Sequence, residues 1–202
     1  MPPAVSLDDH ATDVVALAAE TPGTKVVLVG HSYGGCVVLR AAELAPSLVR
    51  AVVVFESPLP WLDGWPTTSG GGMSLGAPTP QLAGEGFMRR MIGDERWEAL
   101  PEKAKTDRRA EGAALQNDMR SIRPTVGQRL PLDLAGWRRL AIPLVVARGE
   151  LSSAHLRWGA AALAQMAGAE LHDIAGASHG AHVSHPAAMA ALVVRAMEIG
   201  GD

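Results

Sequence analysis

One cysteine, Cys36, is all that the 202 residues contain. No internal disulfide can brace the fold, and a reducing cytoplasm is the expected compartment. A strong charge of either sign is also missing. The net charge is −3 and no basic run exceeds two residues, which excludes the electrostatic footprint of a nucleic-acid binder. No apolar stretch approaches the ~20 residues of a membrane span. The start, MPPAVSLDDH, has neither a charged leader nor a hydrophobic signal core. The expected partner is therefore a small molecule rather than nucleic acid or membrane. What remains is a chain 48% hydrophobic and 19% charged, enough for one globular core with a small subdomain.

The apolar pattern alternates between two periods. Ser6-Leu7-Asp8-Asp9 has the form of a capping box, and Leu7, Ala11, Val14 and Ala18 share one helical face, so residues 6–20 read as an amphipathic helix stopped by Thr21-Pro22-Gly23. Lys25 to Val29 (KVVLV) is a short β-branched run, as expected of a strand buried in a parallel sheet. A glycine turn, a helix (CVVLRAAELA) and a second buried strand, Arg50 to Phe55, follow. From 62 to 137 the pattern changes to a Gly/Pro/Ser/Thr-rich loop and charged helical segments, which read as an inserted helical subdomain. Strand, helix and strand resume at Ile142 to Ala147, near 154–167 and near 169–174, and a last helix starts near Pro186. This order predicts a mainly parallel α/β sheet with right-handed crossovers, divided into 1–61, an insertion at 62–137, and 138–202.

Three stretches fit G-x-S-x-G, the pattern of a serine nucleophile turn: GHSYG at Gly30, GMSLG at Gly72 and GASHG at Gly176. With 22 glycines, random order gives about 0.13 matches, so three reflect glycine clustering as much as chemistry. Context separates them. A nucleophile must sit on a tight turn from a buried strand into a helix, where the helix N-terminus favours a developing oxyanion. Ser74 has no strand before it and reads as flexible loop. Ser178 follows a strand, but no helix follows directly. Ser32 has KVVLV before it and a helix after it, with Gly30, Gly34 and Gly35 to let strand and helix approach. The rival, a phosphate-binding turn, lacks both G-x-G-x-x-G and Lys-Ser/Thr at this point.

VVLVGHSYGG, the helical insertion, IPLVVARGE and GASHGAHVSHP together resemble the α/β-hydrolase fold superfamily, in its order and from the Ser6 helix onward. The resemblance implies an α/β-hydrolase fold with a helical cap, Ser32 as nucleophile and the backbone N–H of Tyr33 as one oxyanion donor. It places the base in the loop after the last strand, where His179, with Pro186 seven residues later, matches. His182 and His185 are rivals, and with His179 they form H-x-x-H-x-x-H, but no matching acid or cysteine set accompanies them, so no metal is expected. His31 reads as turn packing, and His10, His155 and His172 as surface residues. The usual acid position after IPLVVA falls near Ser152, which cannot carry a charge. A second arrangement in the superfamily puts the acid at the end of the preceding strand, where Glu56 stands. A carboxylate directly after buried apolar residues needs a partner, and His179 would be one. Glu150 is the alternative acid.

The resemblance also implies pieces that are not found. Only 31 residues precede Ser32, and no HG-type turn, the usual source of the second oxyanion donor, occurs among them. The chain therefore reads as N-terminally truncated, with KVVLV as an exposed sheet edge to be covered by a second copy. Two functions follow from different classes. One is an esterase-like serine hydrolase without cofactor, acting through an acyl-enzyme on a small ester-like substrate, with Trp61, Trp65, Met88, Met91 and Trp97 as lid and acyl pocket or as subdomain core. The other is a truncated, non-catalytic homologue or a fragment of a longer enzyme. Cys36 reads as core packing, and Arg89, Arg90, Arg108 and Arg109 as a solvated face.

Overall fold

A computed structural model describes residues 5–21, 23–124 and 127–200. Pro22, part of the expected helix stop, lies outside the described residues. The chain divides into two compact units, each described by itself: Leu7–Leu59 with the residues from Leu130 onward, and Pro60–Arg129 with the segment ending at Ser6.

The first unit is a parallel α/β sheet. Helix α1 (Leu7–Ala19) buries Leu7, Ala11 and Ala18, the stripe expected from its 3.6-residue period. Strand β1 (Val26–His31) leads through Ser32 into α2 (Tyr33–Leu44) and then into β2 (Val49–Phe55). After the insertion come β3 (Leu144–Gly149) and β4 (Glu170–Ile174), in the sheet order β1-β2-β3-β4, with every neighbouring pair parallel. Five consecutive residues of β2, Ala51 to Phe55, are fully buried, as an inner strand covered on both faces requires. One sheet face packs Ala51, Val53, Phe55, Val145 and Ala147 against Leu192 and Ala196 of the C-terminal helix that begins at Pro186. The edges differ in character. β4 carries Glu170, His172 and Asp173, whereas β1 presents Val29 at 46% exposure.

The second unit holds five helices among its described residues: α3 (Gly70–Gly76), α4 (Pro80–Ile92), α5 (Asp94–Glu98), α6 (Glu102–Ala110) and α7 (Gly112–Ser121). The Gly/Pro-rich stretch read as loop is thus helical at Gly70–Gly76. Ser69 caps it by accepting from Gly72 N–H at 3.2 Å, which offsets the poor helix propensity of its four glycines. The arginines are not a simple solvated face. Arg89 and Arg109 lie 5.7 and 5.6 Å from the ring of Trp97, which is fully buried, and Glu85 bridges both guanidinium groups. Stacked cations over an indole favour burial of its ring. Trp97 is therefore subdomain core.

Leu130 to Trp137 belong with the sheet unit, not the insertion, because Leu134 and Trp137 are buried there and Trp137 Nε1 donates to the Ile142 carbonyl at 3.2 Å. Three further helices complete the sheet unit: α8 (Ala154–Ala167) joins β3 to β4, and α9 (Ala181–Ser184) and α10 (Pro186–Ile199) follow β4. None of the described helices is long and apolar enough to cross a membrane.

Candidate active site

Parallel strands carry their ligand-facing residues at their C-terminal ends, because the connecting turns there are open to solvent. The ends of β1 and β2 are occupied by Ser32 and Glu56, and the loop after β4 by His179. The register fixes their spacing, since His31 lies beside Phe55 and Phe55 beside Ala147.

Ser32 has φ 54° and ψ −128°, a conformation that L side chains rarely adopt. It is held from both sides: its N–H donates to the Phe55 carbonyl at 2.9 Å, and its own carbonyl accepts from Gly35 N–H at 2.9 Å. A strand-to-helix reversal this tight needs small neighbours. A Cβ on Gly30 would lie 2.5 Å from the Gly34 carbonyl, and one on Gly35 would collide with the Ser57 side chain. Gly34 differs from the expectation, since a Cβ there meets nothing within 4 Å. Packing does not demand that glycine. Tyr33 opens α2, so its N–H belongs to the helix N-terminus, where the macrodipole favours negative charge. Its ring stands edge-on to His10, with centroids 5.7 Å apart, so His10 is not simply a surface residue.

Glu56 is also at positive φ, 51°, and is completely buried. Its two oxygens are both used: Oε1 accepts from Gly149 N–H at 2.7 Å and Oε2 faces His179 Nδ1 at 2.7 Å. Burial alone would raise its pKa. The hydrogen bonds from His179 and Gly149, helped by the nearby Ser152 hydroxyl, outweigh that and hold the carboxyl below its ordinary value. A carboxylate acceptor fixes the ring of His179 as the Nδ1–H tautomer and leaves Nε2 as the basic nitrogen. Among the described residues, Ser32 Oγ makes no hydrogen bond to His179. Such contacts often tighten only with substrate bound.

The other candidates have other partners. Glu150 is exposed and accepts from Gly176 N–H at 2.8 Å, bracing the two loops rather than meeting His179. Ser74 donates to the Gly70 carbonyl at 2.8 Å, one helical turn back. Ser178 is exposed beside His179 in the loop, and a one-turn helix, α9, does follow it. His185 pairs with Ser184 Oγ at 2.8 Å and His172 with Glu170 at 3.2 Å. No group of three His, Cys, Asp or Glu among the described residues is placed to hold a metal. Cys36 is buried, its Sγ donating to the Pro58 carbonyl at 3.2 Å, and burial pushes the thiol up to about 12, far from thiolate chemistry. Sequence reasoning also missed a contact of the base loop. His31 reaches the backbone of His179, and only its position beside Ser32 hinted at this.

Known proteins share this arrangement of strands and turns. A stretch of 78 residues, 39% of the chain, is 41% identical to Esterase PIR7B of Oryza sativa subsp. japonica and spans 24% of that protein's length. Among solved structures, a 2-hydroxy-6-oxo-6-phenylhexa-2,4-dienoate hydrolase from Rhodococcus superposes with TM-score 0.71 at 19% identity, covering 95% of this chain and 70% of that one. A hydrolase from Pseudomonas aeruginosa gives 0.68 at 21% identity, covering 98% and 74%. Identities this low carry the fold alone. The family profile extends over residues 1–192. On that match, and on a parallel sheet whose strand ends carry a strained serine turn, the chain belongs to the alpha/beta hydrolase family.

Proposed function

We propose that the chain is an esterase-like serine hydrolase in which Ser32 is the nucleophile, His179 the base and Glu56 the acid. The observation that carries this reading is the 2.7 Å contact between His179 Nδ1 and a fully buried Glu56 carboxylate. A buried charge beside an imidazole stabilises the imidazolium that forms when the base takes a proton. Ser32 Oγ would attack the carbonyl carbon as His179 Nε2 accepts the hydroxyl proton. The new C–O bond forms as the carbonyl π pair moves to oxygen, where the Tyr33 N–H would receive it. Collapse expels the alcohol, protonated by His179, and leaves an acyl-Ser32. Water then attacks with His179 again as base, releasing the acid.

The substrate class is a small ester, in keeping with the esterase name of the rice relative. The cytoplasm suits an enzyme whose single thiol is buried. The uncharged β1 edge would be covered by a second copy. The rival reading, a non-catalytic homologue or a fragment of a longer enzyme, is separated by one experiment. A fluorophosphonate probe should label the folded chain, and Ser32→Ala should abolish labelling. Folded protein that fails to label supports the non-catalytic reading.

A further inference from the structure

His31 precedes the candidate nucleophile directly, yet its side chain serves the candidate base. Its Nε2 lies 2.7 Å from the carbonyl oxygen of His179. A carbonyl oxygen can only accept, so Nε2 carries the proton and Nδ1 is bare. The ring also packs against three others, tilted to His179 and His182 and stacked on Phe55. Its centroid is 4.5 Å from the ring of His179, 4.4 Å from that of His182 and 5.8 Å from that of Phe55. One side chain thus joins the nucleophile turn, the end of β2, the base loop and α9. Nothing in a role as turn packing requires the directed hydrogen bond.

We propose that His31 is a positioning residue: its neutral ring, donating from Nε2 to the His179 carbonyl, fixes where the base stands relative to Ser32. This rests on the reading of Ser32 and His179 given above. The charge state is part of the role. His179 becomes an imidazolium in the reaction, and a second cation 4.5 Å away would oppose that step. The groups facing His31 are His179, His182 and Glu56, with Phe55 on its ring face. Burial, followed by His179, lowers its pKa to about 4, so it stays neutral where an ordinary histidine begins to charge.

The test uses the full chain with His31→Leu, which removes the donor, and His31→Asn, which keeps an N–H but cannot titrate. With p-nitrophenyl acetate as substrate, His31→Leu should lower kcat about 10²-fold with KM little changed, the scale of a small misplacement of a reacting group. His31→Asn should recover most of that loss. Equal rates for wild type and a folded His31→Leu overturn the proposal, as does an equal loss in both variants that tracks thermal stability. Imidazole ¹⁵N NMR tests it without catalysis. His31 should hold the Nε2–H tautomer and stay neutral to about pH 4. Protonation near the ordinary 6.5, or the other tautomer, overturns it. Wild type that never labels at Ser32 defeats the hydrolase reading instead, and leaves the NMR result to decide the placement of His31.

Discussion

Glu56 and His179, 123 positions apart in the chain, meet at 2.7 Å between Oε2 and Nδ1. The contact depends on the sheet: Glu56 directly follows β2, β3 supplies the Gly149 N–H to the other oxygen, and β4 delivers the loop that carries His179. Glu56→Gln should therefore reduce ester turnover about 10³–10⁴-fold, because an amide can favour the wrong imidazole tautomer. Glu150→Gln should leave turnover within about 2-fold, since its exposed carboxylate accepts from Gly176 N–H rather than meeting His179. Steady-state kinetics of the two variants side by side check this, and the opposite ranking would reassign the acid.

Steric demand at the nucleophile turn is uneven. Gly35→Ala drives a methyl into Ser57, with Val54 Cγ1 3.0 Å away, while Gly34→Ala meets open space. The first should cost about 1–3 kcal/mol of stability and the second under about 1 kcal/mol. Urea unfolding of both variants measures the difference. Equal losses would contradict the account of the turn.

The protonation of His31 gives a stability signature. The unfolded chain takes up a proton at this residue below about pH 6.5, whereas the folded one refuses it down to about 4. Stability therefore falls as the pH drops through that window, by roughly 2 kcal/mol at about pH 5. Glu56 acts in a lower range. Its folded pKa lies below the ordinary 4.5, so the stability it contributes is present above that value and is lost on further acidification. Between about pH 7 and pH 5 the His31 contribution is thus separable, and His31→Asn should flatten the slope of unfolding free energy against pH.

Association should follow the β1 edge. The Ser32 N–H points to Phe55 on β2, and backbone direction alternates along a strand, so Val27 and Val29 direct their N–H and C=O groups outward. An uncharged edge of this kind pairs readily, and lysine is a natural blocker. Sedimentation should show a dimer that Val29→Lys converts to monomer. A monomeric wild type at tens of micromolar concentration would remove the second copy from the account.

Much of this was legible in the sequence because parallel-sheet strands are short β-branched runs and their turns carry glycine. KVVLV, RAVVVF and IPLVVA became β1, β2 and β3 with shifts of one or two residues at their ends. Glu56 stood out because a carboxylate following buried residues demands a partner. The helix at Gly70–Gly76 was not legible, since four glycines oppose helix and the Ser69 cap decides it. Nor were the Arg89–Trp97–Arg109 stack and the reach of His31 to His179. These depend on side chains meeting between separate elements, which no local pattern encodes.

The central claim is that Ser32 carries an acyl group during turnover. Rapid mixing of the folded chain with p-nitrophenyl acetate, followed by acid quench and peptide mass spectrometry, addresses it directly. A burst of p-nitrophenolate near one equivalent, with the acetyl group on the peptide containing Ser32, is the predicted result. No burst and no acetylated Ser32 in folded protein, or an acetyl group on Ser178 or Ser74 instead, would contradict it.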